Sequence, residues 1–261
     1  MWRGHTVSVI LPTYNERDSI REIIHGFERT GYIDEIVVVN NNAAEGTAEE
    51  VAPTSAVQVF EPVQGYGAAI QRGFREATGD YLFVCEPDGT FEPADVIKFL
   101  AYLDDFDLVV GTRTSREFIW DGANMGFMLK WGNWAVAKML EFLFNTTLLT
   151  DVGCTYRAIK RDALARIQNR FEVKTSHFGP EMMLHAIMNG VRFTEIPVNY
   201  KKRVGVSMVT GSKLKAIALG LTMISMILKF RWMGLTGSYR RRPGRRAASQ
   251  PQPQPALSRI S

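Results

Sequence analysis

Short apolar runs recur along the first half of the chain: VSVIL (7–11), EIVVV (35–39), AVQVF (56–60), DYLFVC (80–85) and DLVV (107–110), with stretches of helical spacing between them. Runs of this length separated by helices predict strands buried on both faces, the pattern of an α/β protein with a mainly parallel sheet. Polar loops follow three of them, PTYNE after the first, NNNAAEGT after the second and EPDGTF after the fourth. Sheets of this class bind ligands beyond the carboxyl ends of their strands, so three polar loops there predict one pocket.

The second half is patterned differently. Residues 126–144 (GFMLKWGNWAVAKMLEFLF) predict a helix too apolar to be fully exposed, and 154–198 combine a strand-like CTYRAIK, a helical PEMMLHAIM and a last strand, RFTEIPV. A helical stretch over 213–232 has an apolar core of thirteen residues, 216–228, with basic residues at both ends. A bilayer span takes ~20 residues, so this helix suits the membrane interface or the body of the protein. Beyond it, RRRPGRRAASQPQPQPALSRIS offers too little apolar surface to fold. The expected organisation is one domain over 1–210, an amphipathic or interfacial helix over 211–235 and a disordered basic Pro/Gln-rich tail over 236–261.

Composition, 46% hydrophobic and 22% charged, excludes disorder throughout. The net charge of +4 hides an asymmetry: no Asp or Glu follows Glu195, whereas residues 196–261 carry thirteen Lys and Arg. A basic C-terminal region on an acidic body predicts an anionic surface as partner. No aromatic-interleaved basic platform accompanies it, so an anionic membrane is expected and nucleic acid is not. Cys85 and Cys154 give no disulfide framework and are expected as small buried apolar residues. With no signal-peptide core near the start, the expected place is the cytoplasm, peripheral at the inner face of the membrane.

Two nucleotide-binding signatures bear on the chemistry. GYGAAI (65–70) follows a strand and opens a helix, yet its closing small-residue position is Ile70, and no GxxxxGK[ST] loop is present. Both hydride transfer and NTP hydrolysis are weakened. What remains is Glu86-Pro87-Asp88 at the end of the fourth strand. Two carboxylates one residue apart can face a hard divalent cation, Mg²⁺ or Mn²⁺, that shares its oxygens with a diphosphate.

Several blocks in order, VSVILPTYNE, IVVVNNNAAEGT, QGYGAAIQRGFREATGDYLFVCEPDGTFEP, GTR (111–113), TDVGCTYRAIKRDAL and EIPVNYKKRVGVS, resemble the GT-A fold glycosyltransferases of family 2. The likeness is strongest to the dolichyl-phosphate mannosyltransferase-like branch and covers about 7–207. It implies a GT-A, Rossmann-like sheet with helices on both faces. It also implies Pro12, Tyr14 and Glu16 at the base and ribose of a nucleotide-sugar, Asn40, Asn41 and Gly67 continuing that pocket, and Glu86 with Asp88 at the metal and diphosphate. The chain departs from the family where VDDGS is often found, having Val39-Asn40-Asn41-Asn42-Ala43, and has Glu-Pro-Asp for Asp-x-Asp. Asparagine keeps hydrogen bonding but removes charge, so the base is not inherited. Asx-turns are the other reading of that triplet.

Displacing a nucleoside diphosphate requires cations on the leaving group and a nucleophile that is anionic or deprotonated in place. A phosphate monoester ionises a second time at about pH 6 and needs no strong base, whereas a sugar hydroxyl does. Arg113, Lys130 and Arg203 stand where the resembling enzymes place cations. Glu181 lies where they carry an acidic residue near the acceptor, or else complements its helix dipole. His177 is a candidate for phosphate or metal; His185, four residues after Glu181, reads as its side-chain pair. Asp151 either positions the acceptor or caps its loop, and the Trp and Met residues over 125–139 form either a lipid entrance or core. The resulting expectation is an inverting transferase moving a hexose from a GDP-mannose- or UDP-glucose-type donor to a polyprenyl or dolichyl phosphate. The alternatives are transfer to a sugar or glycolipid hydroxyl with Glu181 as base, and nucleotide-sugar binding without turnover.

Overall fold

In the computed structural model, which describes residues 1–120, 123, 127–204 and 213–239, the five apolar runs of the first half are strands. They are β1 (Val7–Thr13), β2 (Glu35–Asn40), β3 (Val57–Phe60), β4 (Tyr81–Val84) and β5 (Leu108–Thr112). With β6 (Arg157–Lys160) and β7 (Phe193–Pro197) they form one sheet in the order β3-β2-β1-β4-β6-β5-β7. The first four are mutually parallel, β6 is antiparallel to both β4 and β5, and β7 is parallel to β5.

The strands β1, β2, β4 and β5 are largely apolar because alternate side chains enter two separate cores, whereas β3, at the edge of the sheet, is mostly exposed and not, as expected, buried on both faces. Ile10, Val37, Leu82, Val110 and Ile159 point to one face. Val9, Val38, Phe83, Val109 and Ala158 point to the other. On the second face lie α1 (Arg17–Arg29), α2 (Thr47–Val51) and α4 (Val96–Leu103). The first α1 turns bury Ile20, Ile23, Ile24 and Phe27, the i, i+3, i+4, i+7 stripe of a surface helix. The opposite core is covered by α3 (Tyr66–Glu76), α5 (Phe127–Phe144), α6 (Arg161–Ile167), α7 (Phe178–Met188) and α8 (Lys213–Leu235).

The C-terminal helix α8 is longer than the thirteen-residue apolar run in the sequence, because the helix continues past Lys229 and Arg231 through Phe230, Trp232 and Met233. Ile217–Leu235 is long and apolar enough, by length and composition, to cross a membrane. Its faces differ in burial more than in polarity. Met223, Ile227 and Phe230 are buried, while Ile217, Leu221, Leu228, Trp232 and Leu235 are exposed. The chain stays on the body as far as Tyr239, whose hydroxyl accepts from Asn189 Nδ2 (2.7 Å) and lies 2.8 Å from His185 Nδ1. His185 therefore pairs with Tyr239 rather than with Glu181. Burial and the charge of Arg170 push its pKa down to about 4, so the ring is neutral and Nδ1 can accept the tyrosine proton. Of the tail expected to be disordered over 236–261, residues 236–239 are instead ordered against the body through Tyr239, and the rest lies outside the described residues, as do the expected boundary at 210 and Met125.

Candidate active site

The carboxyl ends of β1, β2, β4 and β5 point to one end of the sheet, and the acidic pair leaves β4 there. Ser19 Oγ, from the first turn of α1, donates to Pro87 O (2.6 Å) and fixes the Glu86–Asp88 turn. Gly89 follows with φ +77°, a conformation that reverses the chain directly after Asp88. Asp88 is 1% exposed. Its Oδ1 accepts from Thr90 N (2.9 Å) and Thr90 Oγ1 (2.5 Å), so Oδ2 is the oxygen left for a cation. Arg203 Nη2 lies 2.5 Å from that Oδ2 and 3.1 Å from Glu86 Oε2. Burial, then the charge of Asp88, pushes the Glu86 pKa up to about 8, against the pull of Arg203 and Arg113. Two carboxylates held this close favour a cation between them, and an all-oxygen pair is the donor set of a hard divalent ion. Among the described residues no group of three or more His, Cys, Asp and Glu is gathered as a metal cluster, so His177 does not join the pair.

A strap from β7 closes over this turn. Phe91 and Tyr200 form an isolated bridge, Lys201 N donates to Thr90 O (2.7 Å), and Val204 N donates to Asp88 O (2.9 Å). Below the strap, Arg113 at the end of β5 grips Asp151 with both prongs, Nε to Oδ2 at 2.7 Å and Nη2 to Oδ1 at 2.9 Å. The guanidinium lies 5.6 Å from the Tyr200 ring centre. Burial alone would raise the Asp151 pKa, but the Arg113 charge and hydrogen bonds hold it below the usual carboxylate range. Asp151 thus anchors a cation, a more specific role than either reading of the sequence. Glu195 holds the same loop by accepting from the amide and hydroxyl of Thr150. Lys130 is half-buried on α5.

On the donor side, Pro12 is buried in β1 and Tyr14 is exposed at its end. Glu16 turns back on its own loop, accepting from Tyr14 N (2.6 Å), Asn15 N (2.8 Å) and Thr13 Oγ1 (3.3 Å). Asn40 Oδ1 accepts from Ala43 N (2.9 Å), an Asx-turn. Asn41, 3% exposed, donates to Glu61 O and Val63 O, both at 2.8 Å, and accepts from Gly65 N at 2.8 Å. Its amide is spent on tying β2 to the loop that opens α3. Gly67 is buried where a Cβ would lie 2.5 Å from Val173 O and 2.9 Å from Phe178 Cβ, so it permits close approach of α3 to the start of α7.

Glu181 sits 3% exposed in the first turn of α7. Its carboxylate accepts from Glu172 N (2.9 Å) and Val173 N (3.1 Å), and burial raises its pKa against those bonds. It lines, with His177, Lys229 and Phe230, an open groove of about 520 Å³ between α7 and α8. His177 Nδ1 lies 3.1 Å from Thr175 Oγ1, and partial burial lowers its pKa. Cys85 and Cys154 are free and buried, with burial pushing the Cys154 thiol up to about 12.

Two residues at this end of the sheet had not been singled out. Arg157, on β6 opposite Val84 and Val110, is 4% exposed and donates to the carbonyls of Gly179 and Cys154. Tyr66, the first residue of α3, is within electrostatic reach of both Glu86 and Arg157. The signal for Arg157 was present: a charged residue inside the apolar alternation of a strand read as buried.

The family model for glycosyl transferase family 2 matches residues 8–168. An uncharacterized glycosyltransferase of Mycobacterium tuberculosis is 30% identical over 215 residues, covering 80% of this chain and 92% of its own length. A dolichyl-phosphate hexose transferase of Haloferax volcanii is 26% identical over 226 residues, covering 85% of this chain and 92% of its own. Among solved structures, glucosyl-3-phosphoglycerate synthase from Mycobacterium tuberculosis, in complex with Mn²⁺, UDP and glucosyl-3-phosphoglycerate, superposes with a TM-score of 0.66 at 16% identity, over 88% of this chain and 81% of that one. That likeness is one of fold. The match to the family model and the 30% identity over most of both chains make this chain a member of glycosyl transferase family 2, a glycosyltransferase with the GT-A fold.

Proposed function

We propose that this enzyme transfers a hexose from a nucleotide-diphosphate sugar to a polyprenyl phosphate at a membrane surface. The observation that carries this reading is the commitment of the carboxylates. Glu16 is spent on its own loop, Asp151 on Arg113, and Glu181 on two backbone amides. A hydroxyl nucleophile needs a carboxylate free to take its proton, whereas a lipid phosphate arrives ionised. The dolichyl-phosphate hexose transferase among the relatives supports the same acceptor class.

Glu86 and Asp88 would hold Mg²⁺ or Mn²⁺, as the convergence of one oxygen from each on a single cationic nitrogen and the ion bound by the structural neighbour suggest. The ion supplies charge neutralisation of the leaving diphosphate. Pro12, Tyr14 and Asn40 border the donor pocket, while Asn41 and Gly67 shape its floor through the backbone they position. Arg113, Lys130 and Arg203 supply positive potential to the phosphates. Arg113 does so with its prongs already occupied, through charge alone.

The transfer assay pairs labelled UDP- and GDP-hexoses with Mg²⁺ or Mn²⁺ and a short polyprenyl phosphate. Metal-dependent label in the lipid phase is the expected result; label on a sugar hydroxyl overturns the acceptor. Glu181→Gln is the discriminating variant. It keeps the shape of the loop clamp, and its expected rate loss is less than about tenfold, against the ~10²–10⁴-fold that removal of a general base would cost.

Membrane association rests on α8. Met223, Ile227 and Phe230 seat one side of the helix on the domain, so its free apolar side is read as lying in the interface. Leu228→Glu with Trp232→Glu is expected to lower partitioning onto anionic vesicles by at least about tenfold, since each side chain contributes ~1.5–3 kcal/mol when buried in lipid. Co-sedimentation checks this, with an unchanged melting temperature showing that the buried side of α8 is intact.

A further inference from the structure

The pair read above as the metal site already carries a cation from the chain itself. Arg203 places one nitrogen, Nη2, on both Asp88 Oδ2 and Glu86 Oε2, the position a cation bridging the two carboxylates would take. Asp88 Oδ1 is held by Thr90, so Oδ2 is its only oxygen open to either occupant. Resting on the metal reading above, we propose that Arg203 is the resident counter-ion of the Glu86–Asp88 pair. Loading of the divalent cation displaces it, and the released guanidinium is delivered to the donor diphosphate.

Charge and reach both favour the exchange. With both carboxyls ionised, the pair and one guanidinium carry a net charge of −1, which a divalent cation in its place brings to zero. The arginine side chain then carries an unpaired positive charge beside the incoming phosphates, where two-pronged contacts are strongest. Arg203 is 31% exposed, against 1% for Asp88, so the cation has an open side to move toward while the carboxylate stays fixed. Its main chain is tethered on the Val204 N to Asp88 O and Lys201 N to Thr90 O bonds, which keeps the side chain within reach of the site after release. A guanidinium does not lose its proton in proteins, so Arg203 itself stays charged and competes with the metal as a cation.

The test measures Mn²⁺ binding to the full-length protein by the electron paramagnetic resonance signal of free Mn²⁺, first without nucleotide. Asp88→Asn is expected to lose Mn²⁺ binding, and Arg203→Gln to bind Mn²⁺ about tenfold more tightly than the parent, a difference of about 1.4 kcal/mol. Arg203→Lys, which keeps a cation at this position, should tighten it by less. With Mn²⁺ present, the affinity for UDP or GDP, whichever the parent binds, should move the other way and fall in Arg203→Gln. A merely structural arginine would weaken both. Mn²⁺ affinity unchanged or reduced in Arg203→Gln, with Asp88→Asn inactive in binding, overturns the exchange and leaves the metal reading standing. Full Mn²⁺ affinity in Asp88→Asn removes both. If Arg203→Gln does not fold, weaker Mn²⁺ binding in Arg203→Lys overturns the exchange equally.

Discussion

Replacing Asp88 by Ala abolishes sugar transfer, with an expected fall of at least about 10³-fold, near 4 kcal/mol of lost stabilisation of the leaving diphosphate. The size follows from the position of one oxygen. Asp88 is nearly inaccessible, its Oδ1 is fixed by the amide and hydroxyl of Thr90, and Oδ2 alone faces the cation position. Neither a water nor Glu86 can reproduce that point of charge, because Glu86 reaches the same cation from a longer and more exposed side chain. The fold is expected to survive. Removing Asp88 relieves its repulsion of Glu86, and Arg203 keeps Glu86 as its partner. Initial rates with labelled donor at saturating Mn²⁺, beside a melting curve, check both halves. A variant within about tenfold of the parent would remove the carboxylate pair from the centre of the reaction.

The contrast between Asp88 and the asparagines after β2 shows which parts of the site are legible in sequence. The acidic pair was visible because its chemistry is local: two carboxylates one residue apart at a strand end. The sheet was visible for the same reason, since strands buried on both faces write themselves as continuous apolar runs such as VSVIL and EIVVV. The place of β6 was not, because nothing local in CTYRAIK tells that it inserts antiparallel between β4 and β5. The pairing of partners was equally hidden. Arg203 meets Glu86 across 117 residues, and His185 meets Tyr239 across 54. Asn41 has the same side chain whether it holds a ribose or, as here, the carbonyls of Glu61 and Val63. Glu181 was placed correctly at a helix start, but its commitment to the amides of Glu172 and Val173 depends on how the preceding loop folds back.

The second large effect is on stability. Asp151→Ala is expected to destabilise the protein by about 3–5 kcal/mol, because it strands a buried guanidinium without its carboxylate. Asp151 is fully inaccessible and Arg113 is 13% exposed, so solvent can relieve little of the uncompensated charge. For a domain of this size such a loss lowers the melting temperature by roughly 10 °C. Removing both partners is a different matter: Arg113→Met with Asp151→Leu should recover most of that loss, since two apolar groups need no counter-charge. The pH dependence has a definite sign. The folded-state pKa of Asp151 lies below its unfolded value, so its contribution is complete above about pH 4 and is lost as the pH falls through the folded-state pKa. The parent should therefore lose stability in acid more steeply than the double variant, as denaturant titrations over that range would show. Transfer should not recover in the double variant: in the parent the positive charge of Arg113 lowers the pKa of Glu86, and in Arg113→Met nothing replaces it. Stability restored without activity would separate the packing role of the pair from its electrostatic one; activity restored along with stability would show that Arg113 serves only to hold the loop.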